Sequence, residues 1–215
     1  MKSKFIWLFA ILLGLGLSSC IDILDEIKLN DDKSGSVFIG IESEMLGSIM
    51  NMAKDKIQPK TMEGLESLPI KSKEKIVDIK GVSNVKAFNQ INKGRLGISF
   101  DFANPKALNS AYYALVDMKK AWYQPNIIKI GKHKISRRDL SPQLVKQIES
   151  ENPELKNSEF LKYLNMKTVV RLPSISISIE EGEGKELKNT KKVAIRYTFT
   201  EILEETRSTA YRIRF

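Results

Sequence analysis

The two residue types that most often serve in nucleophilic catalysis and zinc binding occur only once each in the chain of 215 residues, as Cys20 and His133. A single cysteine leaves no disulfide, and a single histidine leaves no histidine cluster for zinc. A serine nucleophile would need His133 as its base, but Lys132 and Lys134 flank it and disfavour the imidazolium that such a base must form. Acidic residues are plentiful, yet no spacing singles out a carboxylate pair. The sequence therefore predicts no enzyme, no cofactor and no metal site.

One polar turn partly matches a calcium-binding loop. Asn30, Asp32, Ser34 and Gly35 fall on the first, third, fifth and sixth positions of such a loop. The twelfth position, where the loop needs a bidentate carboxylate, is Ile41. A hairpin turn rich in Asn, Asp and Gly explains the same residues, so we predict a turn without an ion.

A run of positive charge follows two aromatic residues, Trp122 and Tyr123. The cations of this run are Lys129, Lys132, Lys134, Arg137 and Arg138. Basic residues beside aromatics suit a membrane interface or an acidic glycan, although such a run is more often a solvated face. The formal net charge of +9 also favours anionic partners. This run is the candidate anion-binding patch of the sequence.

The segment 1–19 has the order of an export signal. Lys2 and Lys4 form a cationic start, and an uncharged apolar run follows from Phe5 to Leu17. This run is short for a membrane-spanning helix, because about 20 residues are needed to cross roughly 30 Å of hydrocarbon. We therefore expect it to be cleaved. An uncleaved anchor helix and an ordinary secreted protein are the alternatives.

The sequence Leu17-Ser18-Ser19-Cys20 resembles the lipobox of bacterial lipoproteins, in which a branched residue and two small residues precede the cysteine. This resemblance implies cleavage between Ser19 and Cys20, a diacylglycerol thioether on Cys20, and acylation of the new amino group, with palmitate for example. Two or three acyl chains hold a protein stably on a membrane, whereas one chain is marginal. Ile21 stands where an aspartate retains enterobacterial lipoproteins in the inner membrane, so the resemblance favours the outer membrane. An exported location also argues against a nucleic acid partner.

A second resemblance covers the start of the mature chain. The segment from Ile27 to Ser36 is similar to the opening of uncharacterised envelope lipoproteins of Bacteroidota. Those families usually have Asp/Asn-Gly-Ser-Gly, and Lys33 replaces the first glycine here. The resemblance implies an envelope location and an α+β fold, and it implies no activity.

Alternation of apolar and polar residues predicts strands that are half exposed and mostly antiparallel. The first two form a hairpin around the polar turn at 30–35. Pro173 suggests an edge or a bulge between two others. The predicted strands cover residues 21–29, 36–41, 85–88, 95–102, 127–135, 168–172, 174–179, 192–199 and 210–215, and Pro173 separates two of them.

Spacings of three and four between apolar residues predict the helices. The strongest begins with Asn104 as N-cap and Pro105 at the first helical position, and its apolar stripe continues to Trp122. Two prolines and a glycine predict a loop with only a short helical turn over 55–69. Further helices are predicted over residues 44–54, 71–79, 141–149, 152–164 and 201–205.

These elements together predict an α+β fold, in which a mostly antiparallel sheet is packed by several helices. We expect a signal peptide over 1–19 and a single domain over 20–215. The predicted function is a lipid-anchored envelope protein that is not an enzyme and binds an envelope protein, an anionic lipid or an acidic glycan. A carboxylate-dependent hydrolase is one alternative and requires a facing acidic pair with a raised pKa. A lipid carrier is the other and requires an apolar cavity between the sheet and the helix that begins after Asn104.

Overall fold

The structure of the chain is a computed structural model that describes residues 21–43, 46, 59–118, 120–143, 145–146, 164–180, 190–204 and 206–215. Ten strands and three α-helices have both ends within these ranges, and residues 141–143 and 145–146 are also helical, which confirms the predicted α+β class. The strands are β1 (Ile21–Leu29), β2 (Gly35–Glu42), β3 (Val82–Gln90), β4 (Arg95–Phe102), β5 (Ile128–Ile130), β6 (Lys134–Arg137), β7 (Leu164–Arg171), β8 (Ser178–Glu180), β9 (Lys192–Thr198) and β10 (Tyr211–Arg214). The helices are α1 (Pro59–Ile76), α2 (Pro105–Leu115) and α3 (Phe199–Leu203).

The larger sheet has six strands in the order β3-β4-β2-β1-β7-β9. Adjacent strands of this sheet are antiparallel except for β1 and β7. These two strands run parallel, with Asp25 opposite Thr168. The predicted hairpin of β1 and β2 is confirmed, with Leu29 opposite Gly35. Its turn is closed by Asp32, whose Oδ1 accepts the backbone N–H of Ser34 at 3.0 Å. The residues of the calcium-like motif therefore form the tight turn of a hairpin.

The smaller sheet has four strands in the order β5-β6-β10-β8. The single strand predicted over 127–135 is wrong, because β5 and β6 are the two arms of a short hairpin. The backbone N–H of Gly131 donates to the carbonyl of Lys134 at 2.8 Å and closes the turn between them. The apolar residues on either side of this turn made the two arms look like one continuous strand.

The core lies between one face of the larger sheet, helix α2 and the inner face of the smaller sheet. Each of the three layers contributes fully buried side chains, for example Ile27 of β1, Leu108 of α2 and Ile213 of β10. The predicted start of α2 is confirmed, because Asn104 Oδ1 accepts the N–H of Ala107 at 3.0 Å.

Helix α2 ends at Leu115, several residues before the predicted end. Asp117 has a φ of 57°, and the N–H of Met118 donates to the carbonyl of Tyr113 at 2.9 Å while the N–H of Asp117 donates to Ala114 at 3.0 Å. These bonds form a Schellman motif, which normally has glycine at the left-handed position. An aspartate in that position gave no sequence signal for the end of the helix.

The loop predicted over 55–69 is also wrong, because α1 runs through it and contains Pro69. Pro69 and Ile76 are both buried on the side of α1 that packs on β3 and β4. Proline inside a helix costs about 3 kcal/mol, so burial of this side of α1 outweighs the local preference. The helix predicted over 71–79 is the last part of α1. The helices predicted over 44–54 and 152–164 lie almost entirely outside the described residues.

Candidate functional site

A buried ion pair joins the two sheets. Asp25 lies on the inner face of β1, and Arg137 is the last residue of β6. Arg137 Nη1 donates to Asp25 Oδ2 at 2.8 Å, and the Arg137 side chain is fully buried. Since the partners are 112 residues apart in sequence, the pair holds the smaller sheet against the centre of the larger one.

The remaining polar atoms of this pair also have partners. The Tyr112 hydroxyl of α2 donates to Asp25 Oδ1 at 2.6 Å, and Arg137 Nε and Nη2 donate to the carbonyl of Thr209 at 3.1 and 3.0 Å. Burial and the Asp25 charge raise the pKa of Tyr112 well above its ordinary value. Burial alone would lower the pKa of Arg137, but the charge of Asp25 and the neighbouring tyrosines together outweigh it and raise that pKa. The guanidinium therefore keeps its charge in the interior.

The placement of Arg137 in the exposed basic patch is therefore wrong. Side chains alternate along a strand, so Ile135 and Arg137 of β6 both point inward while Lys134 points outward. Asp25 supplies the opposite charge that makes a buried arginine tolerable. Arg138, the next residue, lies past the end of β6 and is only partly exposed.

A carboxylate next to this pair fixes the entry into β10. Asp139 Oδ1 accepts the backbone N–H of Ser141 at 2.9 Å and that of Thr209 at 3.1 Å. Burial alone would raise the pKa of Asp139, but hydrogen bonds from Ser141, Ser208 and Thr209 outweigh it and lower the pKa to about 2. Asp139 therefore holds the loop in place as a charged acceptor.

The arrangement of these carboxylates gives no support to the hydrolase alternative. The buried carboxylate Asp25 faces the cation of Arg137. A paired-carboxylate site would instead need a second acid facing it, with a raised pKa. Hydrogen bonds from Ser34 lower the pKa of Asp32, and those from Thr198 lower the pKa of Glu201. Among the described residues, no three of His, Cys, Asp and Glu gather as metal ligands.

The lipid-carrier alternative also lacks its required feature. It needs an empty apolar space between the larger sheet and α2. Leu108 and Ala111 of α2 are instead fully buried in one core cluster with Ile27 and Ile98 of the sheet. Side chains fill the part of the structure where the ligand would have to lie.

The outer face of the smaller sheet carries a group of exposed cations, which we call the basic face. Lys134 lies opposite Arg214, and Arg212 lies opposite Ser136, which in turn lies opposite Lys129 on β5. A groove of about 390 Å³ on this face is lined by Lys132, His133, Lys134, Arg212 and Arg214. Strand β8 pairs with β10 on the other side, with Glu180 opposite Arg212 in register.

Three of the five residues of the predicted patch belong to the basic face, namely Lys129, Lys132 and Lys134. Sequence reasoning missed Arg212 and Arg214. The alternation over 210–215 marks both of them as outward-facing, but only the pairing of β10 with β6 brings them beside Lys134. Trp122 and Tyr123 lie in the loop after α2 and do not line the groove on this face.

None of the described helices is long and apolar enough to cross a membrane. The segment 1–20, with the predicted cleavage and lipidation site at Ser19 and Cys20, lies outside the described residues. These two sites therefore stay predictions. The described chain begins with β1 at Ile21, the residue that follows Cys20.

No protein-family model and no curated protein matches the chain. The chain is similar to the solution NMR structure of the folded domain of LppM from Mycobacterium tuberculosis, with a TM-score of 0.41 and 11% sequence identity. The similarity covers 91% of this chain and 90% of that chain. A likeness this distant assigns neither a family nor an activity to the chain.

Proposed function

We propose that the chain is a lipid-anchored lipoprotein of the cell envelope whose folded domain binds an anionic partner through the basic face, without catalysis. The observation that carries the binding role is the clustering of Lys132, Lys134, Arg212 and Arg214 around one groove. Clustered charges of one sign attract ligands of the opposite sign and raise their local concentration. An anionic lipid, an acidic glycan and an acidic surface of an envelope protein all have the required chemistry.

The anchor follows from the sequence before the domain. Cys20 immediately precedes β1, so cleavage before Cys20 would leave almost no linker between the acyl chains and the sheet. The domain would then work close to the membrane surface. The outer membrane is favoured, because the residue after Cys20 is Ile21 and not the aspartate that retains enterobacterial lipoproteins in the inner membrane.

Replacement of Cys20 by serine should abolish membrane attachment, because serine has no thiol to form the thioether. The wild-type chain should show an intact mass that has lost 1–19 and gained acyl chains, and it should sediment with membranes. The Cys20→Ser variant should show neither the lipid mass nor stable membrane recovery. Equal uncut masses for both proteins would instead show that the apolar run is retained, and two cleaved soluble proteins would contradict the anchor.

Reversal of two charges on the basic face should weaken binding to a polyanion. We expect Lys132→Glu with Lys134→Glu to lower affinity for heparin about tenfold at low salt, and the difference should shrink as salt screens the charges. Lys71→Glu with Lys73→Glu is the matched control, because both residues are exposed on α1 and give the same change in net charge. Equal losses in the two variants would contradict a specific face and leave only an effect of net charge.

A further inference from the structure

We propose that the loop after α2 inserts Trp122 and Tyr123 into the headgroup region of the membrane that holds the lipid anchor. We call residues 116–118 and 120–124 the aromatic loop. This inference rests on the proposed function only for the anchor itself. It concerns a surface separate from the basic face, and it assigns a second membrane contact to the folded domain.

The aromatic loop exposes large apolar side chains close together in sequence. Trp122 is 95% exposed and Tyr123 is 72% exposed, while Met118 and Val116 are 47% and 46% exposed. Single exposed apolar residues are ordinary on a soluble protein, whereas a cluster of them marks a contact surface. Tryptophan and tyrosine are the side chains most enriched at membrane interfaces, because each has an apolar body and a polar tip.

The loop is held in one shape by its own polar groups. Lys120 Nζ donates to the carbonyls of Ala121 and Gln124 and lies 5.3 Å from the centre of the Tyr113 ring. The side chain of Gln124 accepts the backbone N–H of Ala121 at 2.7 Å. Internal bonds thus satisfy these backbone groups, so insertion would not have to strip them of water.

The two aromatic rings are arranged for a shared contact. Their centroids are 5.8 Å apart and their planes meet at 88°, an edge-to-face pair. The pair has no other ring contact among the described residues, and both rings face solvent. A packed aromatic pair at the tip of a closed loop is preorganised to enter a membrane interface as one unit.

Helix α2 starts at the end of the larger sheet that lies opposite to the start of β1. Helix α2 starts after Phe102, which lies opposite Gly35 and therefore beside the Leu29 end of β1. Tyr112, further along α2, donates its hydroxyl to Asp25. Asp25 lies four residues before Leu29 on β1, about 13 Å closer to the start of that strand. Helix α2 therefore points towards the end of the larger sheet where β1 begins, which is the end nearest to the proposed anchor.

The proposed anchor, which has almost no linker before β1, favours a bilayer over a protein as the occupant of the loop. A chain tethered by its acyl chains presents any apolar surface near the tether to the bilayer at a high effective concentration. Even a weak aromatic contact would then be occupied most of the time, and it would fix the orientation of the domain on the membrane. The basic face would then keep one orientation relative to the membrane.

The test uses the fluorescence of Trp122. The sequence contains two tryptophans, Trp7 in the signal segment and Trp122, so a full chain with Trp7→Phe reports on Trp122 alone. The chain is purified from membranes and reconstituted in phosphatidylcholine vesicles, which carry no net charge and do not engage the basic face. We expect the emission to shift to shorter wavelength and brominated lipids to quench it strongly. Tyr123→Ser should weaken the quenching at least twofold, because half of the ring pair is lost.

The matched control is Ile177→Ser. Ile177 is 79% exposed but precedes β8 in the smaller sheet, so its loss should leave the quenching unchanged. Both substitutions affect exposed side chains, and the fold should survive them. Circular dichroism of each variant checks this directly.

Failure of this inference can be separated from failure of the anchor. Unquenched Trp122 in a chain that still carries its acyl chains would overturn the loop contact, would favour a protein partner at the loop, and would leave the lipoprotein proposal standing. Quenching of Trp122 by added vesicles in a chain that lacks acyl chains would support the loop contact and contradict the anchor. Equal quenching in the Tyr123→Ser, Ile177→Ser and parent chains would overturn the role assigned to the aromatic pair.

Discussion

Replacement of Arg137 by methionine should lower the free energy of unfolding by about 3–5 kcal/mol, because it leaves the Asp25 carboxylate buried without its countercharge. Asp25 is one of the few charged residues in the core, and its Oδ2 has Arg137 as its charged partner at 2.8 Å. The same substitution removes both donors to the Thr209 carbonyl. Urea unfolding followed by circular dichroism gives the change in free energy.

Two comparisons identify the cause of this loss. Lys75→Met breaks an ion pair of the same length, 2.8 Å, but its partner Asp117 is well exposed. The free energy of unfolding should therefore fall by about 1 kcal/mol or less. The triple variant Asp25→Leu, Tyr112→Phe and Arg137→Met replaces the ionic cluster by apolar groups and should recover most of the stability. A loss for Arg137→Met no larger than that for Lys75→Met would contradict the structural role of the buried pair.

Replacement of Gly40 by alanine should lower the free energy of unfolding by about 2–3 kcal/mol, because the new methyl group would overlap backbone atoms of the next strand. A Cβ atom at Gly40 would lie 2.3 Å from the carbonyl oxygen of Leu96 and 2.7 Å from the Cα of Gly97. The relation is reciprocal, since a Cβ at Gly97 would lie 2.7 Å from the Cα of Gly40. Alanine in a strand normally stabilises a protein by roughly 0.5–1 kcal/mol relative to glycine. A loss of stability in Gly40→Ala would therefore indicate the overlap with the next strand.

The control for this experiment is Gly131→Ala in the turn between β5 and β6. The atoms nearest to a Cβ there belong to the flexible Lys134 side chain, the closest at 3.0 Å. That side chain can move aside, so we expect a change within about 0.5 kcal/mol. Thermal or chemical unfolding of Gly40→Ala, Gly97→Ala and Gly131→Ala measures all three. Similar stabilities for Gly40→Ala and the wild-type chain would show that β2 and β4 can separate at this point without cost.

Elements with a local signal were predictable from the sequence. The alternation over 95–102, the polar turn at 30–35 and the Asn104-Pro105 start of α2 each depend on neighbouring residues only, and the structure confirms them. The α+β class followed from these elements. The end of α2 was missed because Asp117 takes the left-handed position that usually marks a glycine.

The candidate site was only partly predictable, because its composition depends on contacts between distant residues. The run 129–138 reads as uniformly basic, yet Lys134 faces solvent and Arg137 faces Asp25. Alternation along β6 places Arg137 on the side of Ile135 and Lys134 on the other side, but the partner that makes a buried arginine tolerable lies on β1 and has no signal in this run. Arg212 and Arg214 join the basic face through the pairing of β10 with β6, which also has no signature in either strand alone.

The parallel pairing of β1 and β7 has a consequence for the order in which the chain can fold. β1 is the first of the described strands along the chain, but one of its two neighbours is β7, which begins at Leu164. Pairings between residues so far apart in sequence form slowly, because the entropy cost of closing a long loop comes before the stabilising contacts form. The sheet therefore cannot be completed until most of the chain has been made. A chain with this topology stays unfolded during synthesis for longer than one built from local hairpins, which would suit the export that the proposed lipoprotein requires.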